Sequence, residues 1–271
     1  MPRPPRVWFP GAWYHIMARG NNKEPIFFAE RDYRKYLQLL SETVQRYECL
    51  LHAYVLMTNH VHLMIETGSS HPIWKPVHLL HTSYTSYVNH AYGRVGHIFQ
   101  GRYRSIVVER DVYALELGRY IHLNPVRAHL VTEPSAYPWS SYHAYVGCEG
   151  EGRGLVTTHQ LLGMLSPQPT LQRERYRQFV LEGLAVPQDL MREVTDSQFL
   201  ASPAFVEQAS VGPSGVRPRV RPRACPRTGV RQVSDTCLRP ANVLWRGRQA
   251  PHGPPPVPRL VSGTMLLDKC I

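Results

Sequence analysis

Two apolar, β-rich segments in the first quarter of this chain are separated by only two residues. Leu50–Met57 and His60–Glu66 read as strands, and the intervening Thr58-Asn59 has room only for a tight turn. We therefore predict an antiparallel hairpin.

The segments around the hairpin alternate between strand and helix patterns. Residues 29–49 place apolar side chains on one helical stripe, and Gly20-Asn21-Asn22 closes a β-rich run before them. The predicted elements are strand 13–19, helix 29–49, the hairpin, helix 76–92, strand 103–109 and a helix from Asp111 toward Asn124. This β-α-β-β-α-β order predicts an α+β, ferredoxin-like fold, an antiparallel sheet with helices on one face.

The rest of the chain divides into a helical extension and a basic tail. Helical patterns at 155–165 and 171–184 place an extension at 155–209. Residues 210–271 hold eleven Arg and Lys against two Asp, so they contribute +9 of the net charge of +11. They also hold ten of the 24 prolines and lack periodicity, which predicts disorder. The folded part is therefore almost neutral, and any binding of nucleic acid by it must use local patches.

Several classes of protein are excluded or disfavoured. No apolar run is long enough to span a membrane. The proline-interrupted N-terminus does not resemble a secretory signal. Five scattered cysteines suggest neither a disulfide framework nor a zinc site, so a cytoplasmic location is expected. No phosphate-binding G-x-x-x-x-G-K-[ST] loop is present, so we expect no nucleotide cofactor.

Two features carry candidate chemistry. His60 and His62 project from the same face of a predicted strand, within reach of one metal ion. The alternative is a pair of half-exposed strand histidines that bind no metal. Tyr120 and Asn124 lie one helical turn apart, and Pro125 should end or kink the helix and turn the Asn124 amide outward. The alternative is an ordinary helix terminus with a buried tyrosine. Together they suggest a metal that polarises a phosphate beside a tyrosine nucleophile.

Residues 8–146 resemble the single-tyrosine HUH transposases of insertion sequences, and most closely the REP-associated tyrosine transposases. The resemblance rests on four motifs in the expected order and spacing. They are Leu56–His62, Phe99–Tyr103, Tyr120–Ala128 and Tyr137–Tyr142.

The resemblance implies a role for each matching residue. His60, His62 and Asn124 would bind Mg²⁺ or Mn²⁺, and Tyr120 would attack a DNA phosphodiester to give a 5′-phosphotyrosine and a free 3′-OH. The expected partner is single-stranded DNA with hairpins at the ends of repeated or mobile elements. Whether the chain forms a homodimer is left open.

Arginines interleaved with aromatic residues are the predicted DNA contacts. Guanidinium groups suit phosphates, and aromatic rings stack on unpaired bases. The candidates are Arg94, Arg102, Tyr103, Arg104, Arg119 and Arg127.

Two other functions fit the same sequence. A domesticated nucleic-acid-binding module on this fold would need no catalytic residues. A metal-dependent phosphodiesterase that uses water would not need the Tyr120 hydroxyl.

Overall fold

The computed structural model describes residues 7–152, 154–185, 190–195 and 198–210. All of them lie in the first of two units of the chain, Met1–Arg219. The tail predicted to be disordered lies, from residue 211 onward, outside the described residues. No helix of the described part is long and apolar enough to cross a membrane.

The hairpin forms one edge of a five-stranded sheet, and the first strand of the chain lies at its centre. Its strands run in the spatial order β2-β3-β1-β4-β5, and their bounds are β1 Trp13–Arg19, β2 Leu50–Met57, β3 His60–Glu66, β4 Arg104–Val108 and β5 Phe199–Leu200. The first four strands pair antiparallel in the ferredoxin-like order, which confirms the predicted fold class. β5 pairs parallel to β4 and was not predicted, because two residues are too few to show an alternating pattern.

Helices cover both faces of this sheet, not one face as predicted. Their bounds are α1 Glu30–Arg46, α2 Trp74–Tyr92, α3 Arg110–Arg127, α4 Tyr142–Val146, α5 His159–Leu165, α6 Pro169–Glu182 and α7 Pro203–Ser210. The reason is that α3 and the helices packed on it lie on the face opposite to α1 and α2. α1 and α2 pack against each other, as the ferredoxin-like order requires. α3 packs on β2 and β3, where its Tyr120 meets His15 and His62. The alternate residues Ile16 and Leu63 are also fully buried, so the opposite face is covered as well.

The third helix does not end where the sequence predicted. α3 continues through Pro125 to Arg127, and its end is formed by His129 in the left-handed conformation, at φ 56°. The N–H groups of His129 and Leu130 bond the carbonyls of Val126 and Pro125, the pattern of a Schellman motif. Pro125 lies within the last turn and removes the one hydrogen bond that its own N–H would donate to the Ile121 carbonyl, but the helix continues for two residues beyond it.

Helices α5 and α6 lie within the predicted 155–209 extension and pack on α3. His122 of α3 joins these layers, because its Nδ1 bonds the Tyr176 hydroxyl and its Nε2 bonds the Ser141 hydroxyl, both at 2.8 Å. Ser141 in turn bonds the backbone of Tyr54 in β2. The buried histidine thus has a structural role.

The burial of His122 predicts a loss of stability in acid. Burial lowers the pKa of His122 from 6.5 to about 3, so below pH 6.5 the unfolded chain takes up a proton that the folded one excludes. The free energy of unfolding should fall by about 1.4 kcal/mol per pH unit from this group. His122→Gln should be less stable at pH 7 but should show a shallower pH slope in urea unfolding between pH 7 and 5. Equal slopes in the two proteins would contradict this origin.

Candidate active site

The two histidines of β3 lie on the sheet face that α3 covers. Pairing with β1 places His60 opposite Arg19 and His62 opposite Met17. His60 is partly exposed, whereas His62 is only 6% exposed. The ring centroids of the two imidazoles are 5.1 Å apart. The same-face arrangement that the spacing predicted is therefore present.

Asn59, in the hairpin turn, holds the His60 ring. Its Oδ1 lies 2.7 Å from His60 Nδ1, and its Nδ2 donates to the Lys23 carbonyl at 2.9 Å. Because the Lys23 carbonyl can only accept, the amide orientation is fixed with Oδ1 toward the imidazole. His60 then carries its proton on Nδ1, which leaves the Nε2 lone pair available to a metal.

His15 of β1 forms a hydrogen bond to Nδ1 of His62, as Asn59 does to Nδ1 of His60. Its Nε2 lies 2.9 Å from His62 Nδ1, and the two ring centroids are 5.1 Å apart. When His62 Nδ1 donates in this hydrogen bond, its Nε2 is free to bind a metal; when it accepts, Nε2 carries the proton. His15 Nδ1 is buried without a hydrogen-bond partner among the described residues. The tautomer of His62 is therefore coupled to that of His15.

All three imidazoles are neutral at physiological pH. Burial lowers the pKa of His15 to about 3, with the charge of Arg104 adding to the effect. Burial also lowers the pKa of His60 to about 4, and Arg19 contributes in the same direction. The pKa of His62 falls well below its ordinary value, first through burial and then through the neighbouring histidines. Neutral imidazole is the form that binds metals.

Tyr120 extends from α3 toward the histidines. Its ring centroid lies 5.7 Å from that of His62 and 6.0 Å from that of His15, edge-on in both contacts. The ring is partly buried, not enclosed in the core. The guanidinium of Arg127 lies over it, 5.8 Å from the centroid. α3 thus brings the predicted nucleophile to the histidine strand.

Asn124 follows one turn later on the same helix, but its amide is not turned outward as predicted. Because α3 continues past Pro125, the Asn124 Nδ2 donates to the Tyr120 carbonyl at 2.8 Å. This hydrogen bond uses the amide nitrogen and leaves Oδ1, the atom a metal would bind, for another partner. No group of three His, Cys, Asp or Glu within the described ranges could hold a metal, so a third ligand beside His60 and His62 would have to be another kind of group, such as this amide.

A cleft of about 380 Å³ opens beside His60 and His62. One wall is the end of β1 with Arg19, and the other is formed by Arg102 and Tyr103 of the loop after α2 and by Arg104, the first residue of β4. Three predicted DNA contacts thus line the cleft that holds the histidines.

Two other predicted DNA contacts are engaged elsewhere. Arg119 is only 9% exposed, forms an ion pair with Glu116 and lies over the Phe179 ring. This burial under α6 gives Arg119 a structural role and argues against the predicted DNA contact. Arg94 pairs with Glu24 at 3.2 Å and lies over Phe28, outside the residues that line the cleft.

Sequence reasoning missed Asn59 and His15 as parts of the site. Asn59 was visible as a turn residue directly before His60, but the hydrogen bond that fixes its amide orientation is to the Lys23 carbonyl, 36 positions earlier in the chain. His15 lies 47 positions before His62, and only the β1–β3 pairing brings them together.

Comparisons with known proteins give one family. The family model for IS200-like transposases matches residues 9–124. Nine chains of solved structures match, among them a REP-associated tyrosine transposase bound to a REP hairpin, with 19% identity over 58% of this chain and 89% of that chain and a TM-score of 0.47. A candidate transposase from Deinococcus radiodurans has 20% identity over 45% of this chain and 95% of that chain, with a TM-score of 0.32. No curated protein matches.

Proposed function

Because residues 9–124 of this chain match the model of the IS200-like transposase family, we propose that the protein cleaves and rejoins single-stranded DNA through a covalent bond to Tyr120. The observation that carries the proposal is the edge contact of the Tyr120 ring with His62, at 5.7 Å between centroids. This contact places the tyrosine beside a neutral imidazole that shares a sheet face with His60.

The proposed reaction exchanges one phosphoester for another. The Tyr120 oxygen attacks the phosphorus, a bond from that oxygen to phosphorus forms, and the bond from phosphorus to the 3′ oxygen breaks. The phenol proton is lost and the departing 3′ oxygen gains one, giving a 5′-phosphotyrosine and a 3′-OH. Attack by another 3′-OH reverses the step and joins the new strand. The Arg127 guanidinium over the ring stabilises negative charge that develops on the phenol oxygen.

The donor set fits a divalent ion. His60 and His62 offer neutral imidazole nitrogens and Asn124 an amide oxygen, so these three residues would hold Mg²⁺ or Mn²⁺. Two imidazoles favour Mn²⁺ over Mg²⁺, which prefers oxygen ligands. When bound, the ion polarises the phosphate as a Lewis acid. Asn59 holds the His60 proton on Nδ1, and His15 does the same for His62 in the tautomer in which it accepts from His62 Nδ1.

Asn59→Ala should weaken metal binding without removing a ligand. Loss of the acceptor for His60 Nδ1–H frees the ring to rotate and to change tautomer, so Mn²⁺ affinity should fall about 10- to 100-fold. Isothermal titration with Mn²⁺ measures this directly. Asn59→Asp keeps an acceptor oxygen and should retain most of the affinity; an unchanged affinity in the alanine variant would show that Asn59 does not orient His60.

The DNA contacts proposed for this site are Arg102, Tyr103, Arg104 and Arg127. The first three line the cleft, and Arg127 lies beside the nucleophile. Their guanidinium groups suit the phosphates on either side of the cleaved bond, and the Tyr103 ring suits an unpaired base.

A labelled single-stranded DNA with a hairpin, incubated with protein and Mn²⁺ or Mg²⁺, tests the proposal on a denaturing gel. A transposase of this type gives a protein–DNA adduct and a free 3′-OH fragment. A binding-only module would retain the DNA on a native gel without cleaving it. A water-using phosphodiesterase would cleave it without an adduct. Either of the last two results would overturn the proposal.

A further inference from the structure

A second groove lies next to the cleft that holds His60 and His62, which is the catalytic cleft of the proposed function. It has a volume of about 760 Å³ and runs between one side of α2 and the loop that follows that helix. Trp74, at the start of α2, forms part of its wall together with hydroxyl and amide side chains such as Thr82, Thr85 and Asn89. None of these helix residues takes part in the proposed chemistry.

The groove and the catalytic cleft share one wall. Phe99, Gly101, Arg102 and Tyr103 line both cavities, so this loop is a ridge between them. The ridge is open at Gly101, where an added Cβ would meet no atom within 4 Å. An extended chain leaving the cleft over this ridge enters the groove directly.

The charge on the lining residues suits a polyanion. No Asp or Glu lines either cavity in the described part of the chain, whereas Arg19, Arg102 and Arg104 line the cleft and Arg102 also lines the groove. Another surface cavity, beside α4, is lined by Glu149 and Glu151 and so would repel phosphates. The groove, like the cleft, is therefore lined by arginine and by no acidic residue, which favours the binding of phosphates.

Trp74 supplies a surface on which a base can stack. Its side chain is 49% exposed although it is large and apolar, and the Lys75 ammonium lies 6.0 Å from the ring centroid. Exposed aromatic rings beside cationic groups, in a groove without acidic residues, are the usual elements of single-strand binding. The neighbouring threonines and Asn89 can hydrogen-bond to base edges or sugars.

We propose that this groove binds the unpaired DNA strand as it leaves the catalytic cleft, with a base stacked on Trp74. The inference rests on the proposed function, because it takes the occupant of the cleft to be single-stranded DNA. It adds a binding site beyond the catalytic residues and their arginines. A duplex does not fit this role, because its bases are already stacked on one another.

The test is the dependence of affinity on DNA length. Fluorescence anisotropy with oligothymidylates of about 4 to about 16 nucleotides, a range typical of single-strand sites, is measured in the Tyr120→Phe background so that no strand is cleaved. Affinity should rise once the oligonucleotide is long enough to cross the ridge. Trp74→Ala should leave the shortest oligonucleotide unaffected and weaken the longer ones roughly 5- to 100-fold. A hairpin-free duplex of equal length should show no Trp74-dependent gain.

A second pair of variants tests the groove without altering Trp74. Thr82 is an exposed residue of the groove, so Thr82→Glu should weaken only the longer oligonucleotides. Gln38→Glu, at an exposed position of α1 outside the groove, adds the same charge and should have no effect. Leu130→Ala removes an exposed apolar side chain elsewhere and is the control for Trp74→Ala.

The inference is overturned if both groove variants keep the wild-type length dependence, or if they weaken short and long oligonucleotides equally. Neither result bears on the covalent chemistry. Conversely, an absent adduct in the wild-type protein would overturn the proposed function whatever the length dependence.

Discussion

Tyr120→Phe is expected to eliminate the covalent protein–DNA adduct. The substitution removes one oxygen and leaves the ring that contacts His15 and His62, so the site should remain folded while the nucleophile is absent. Strand cleavage should fall by about 10³-fold or more, because loss of a covalent nucleophile removes the whole pathway. The denaturing gel and a native binding gel, run in parallel, measure the two properties separately, and DNA binding should be retained.

Tyr113→Phe is the matched control, since Tyr113 lies on the same helix but outside the contacts of the histidine site. It should form the adduct at the wild-type rate. An adduct of wild-type yield in Tyr120→Phe would place the nucleophile on another residue. Cleavage at the wild-type rate without an adduct would instead favour hydrolysis by water.

His60→Ala and His62→Ala should each reduce cleavage by about 10²- to 10⁴-fold, the range expected when several kcal/mol of Lewis-acid stabilisation are lost. The physical reason is the removal of one of two imidazoles that share a face of β3. Mn²⁺ affinity, measured by titration calorimetry, should fall in parallel. Binding of DNA should change little, since Arg102, Arg104 and Arg127 are intact.

His159→Ala provides the control, because this histidine is exposed at the start of α5. It should match the wild-type protein in both cleavage and metal affinity. If His60→Ala and His62→Ala cleave DNA normally at limiting Mn²⁺, the two histidines are not ligands and the proposed metal site is wrong.

The order of strands and helices in the first 127 residues could be predicted because each element has a strong local signal. The two-residue turn Thr58-Asn59 sets the β2–β3 pairing, and the spacing of apolar residues identifies α1. The placement of His60 and His62 on one face is equally local, because side chains two positions apart in a strand point to the same side of the sheet. These are cases in which neighbouring residues alone determine the geometry.

The remaining features depend on tertiary contacts that no local pattern encodes. Pro125 suggested a helix end, but the helix continues one turn further to a Schellman motif at His129. Arg119 was read as a surface arginine because it flanks Tyr120, and packing of α6 buries it against Phe179. The contact of His15 with His62 required the β1–β3 register. The contacts of Arg119 and His15 are made with residues far away in the sequence, and the end of α3 is set by residues that follow Pro125.

The most direct test of the account is to identify the residue that becomes linked to DNA. The wild-type adduct is digested with nuclease and protease, and the peptide that carries the residual nucleotide is sequenced by mass spectrometry. The account predicts a phosphotyrosine at Tyr120, in the α3 peptide that also contains Asn124. A nucleotide on Tyr103, on Ser141 or on any other residue would contradict it.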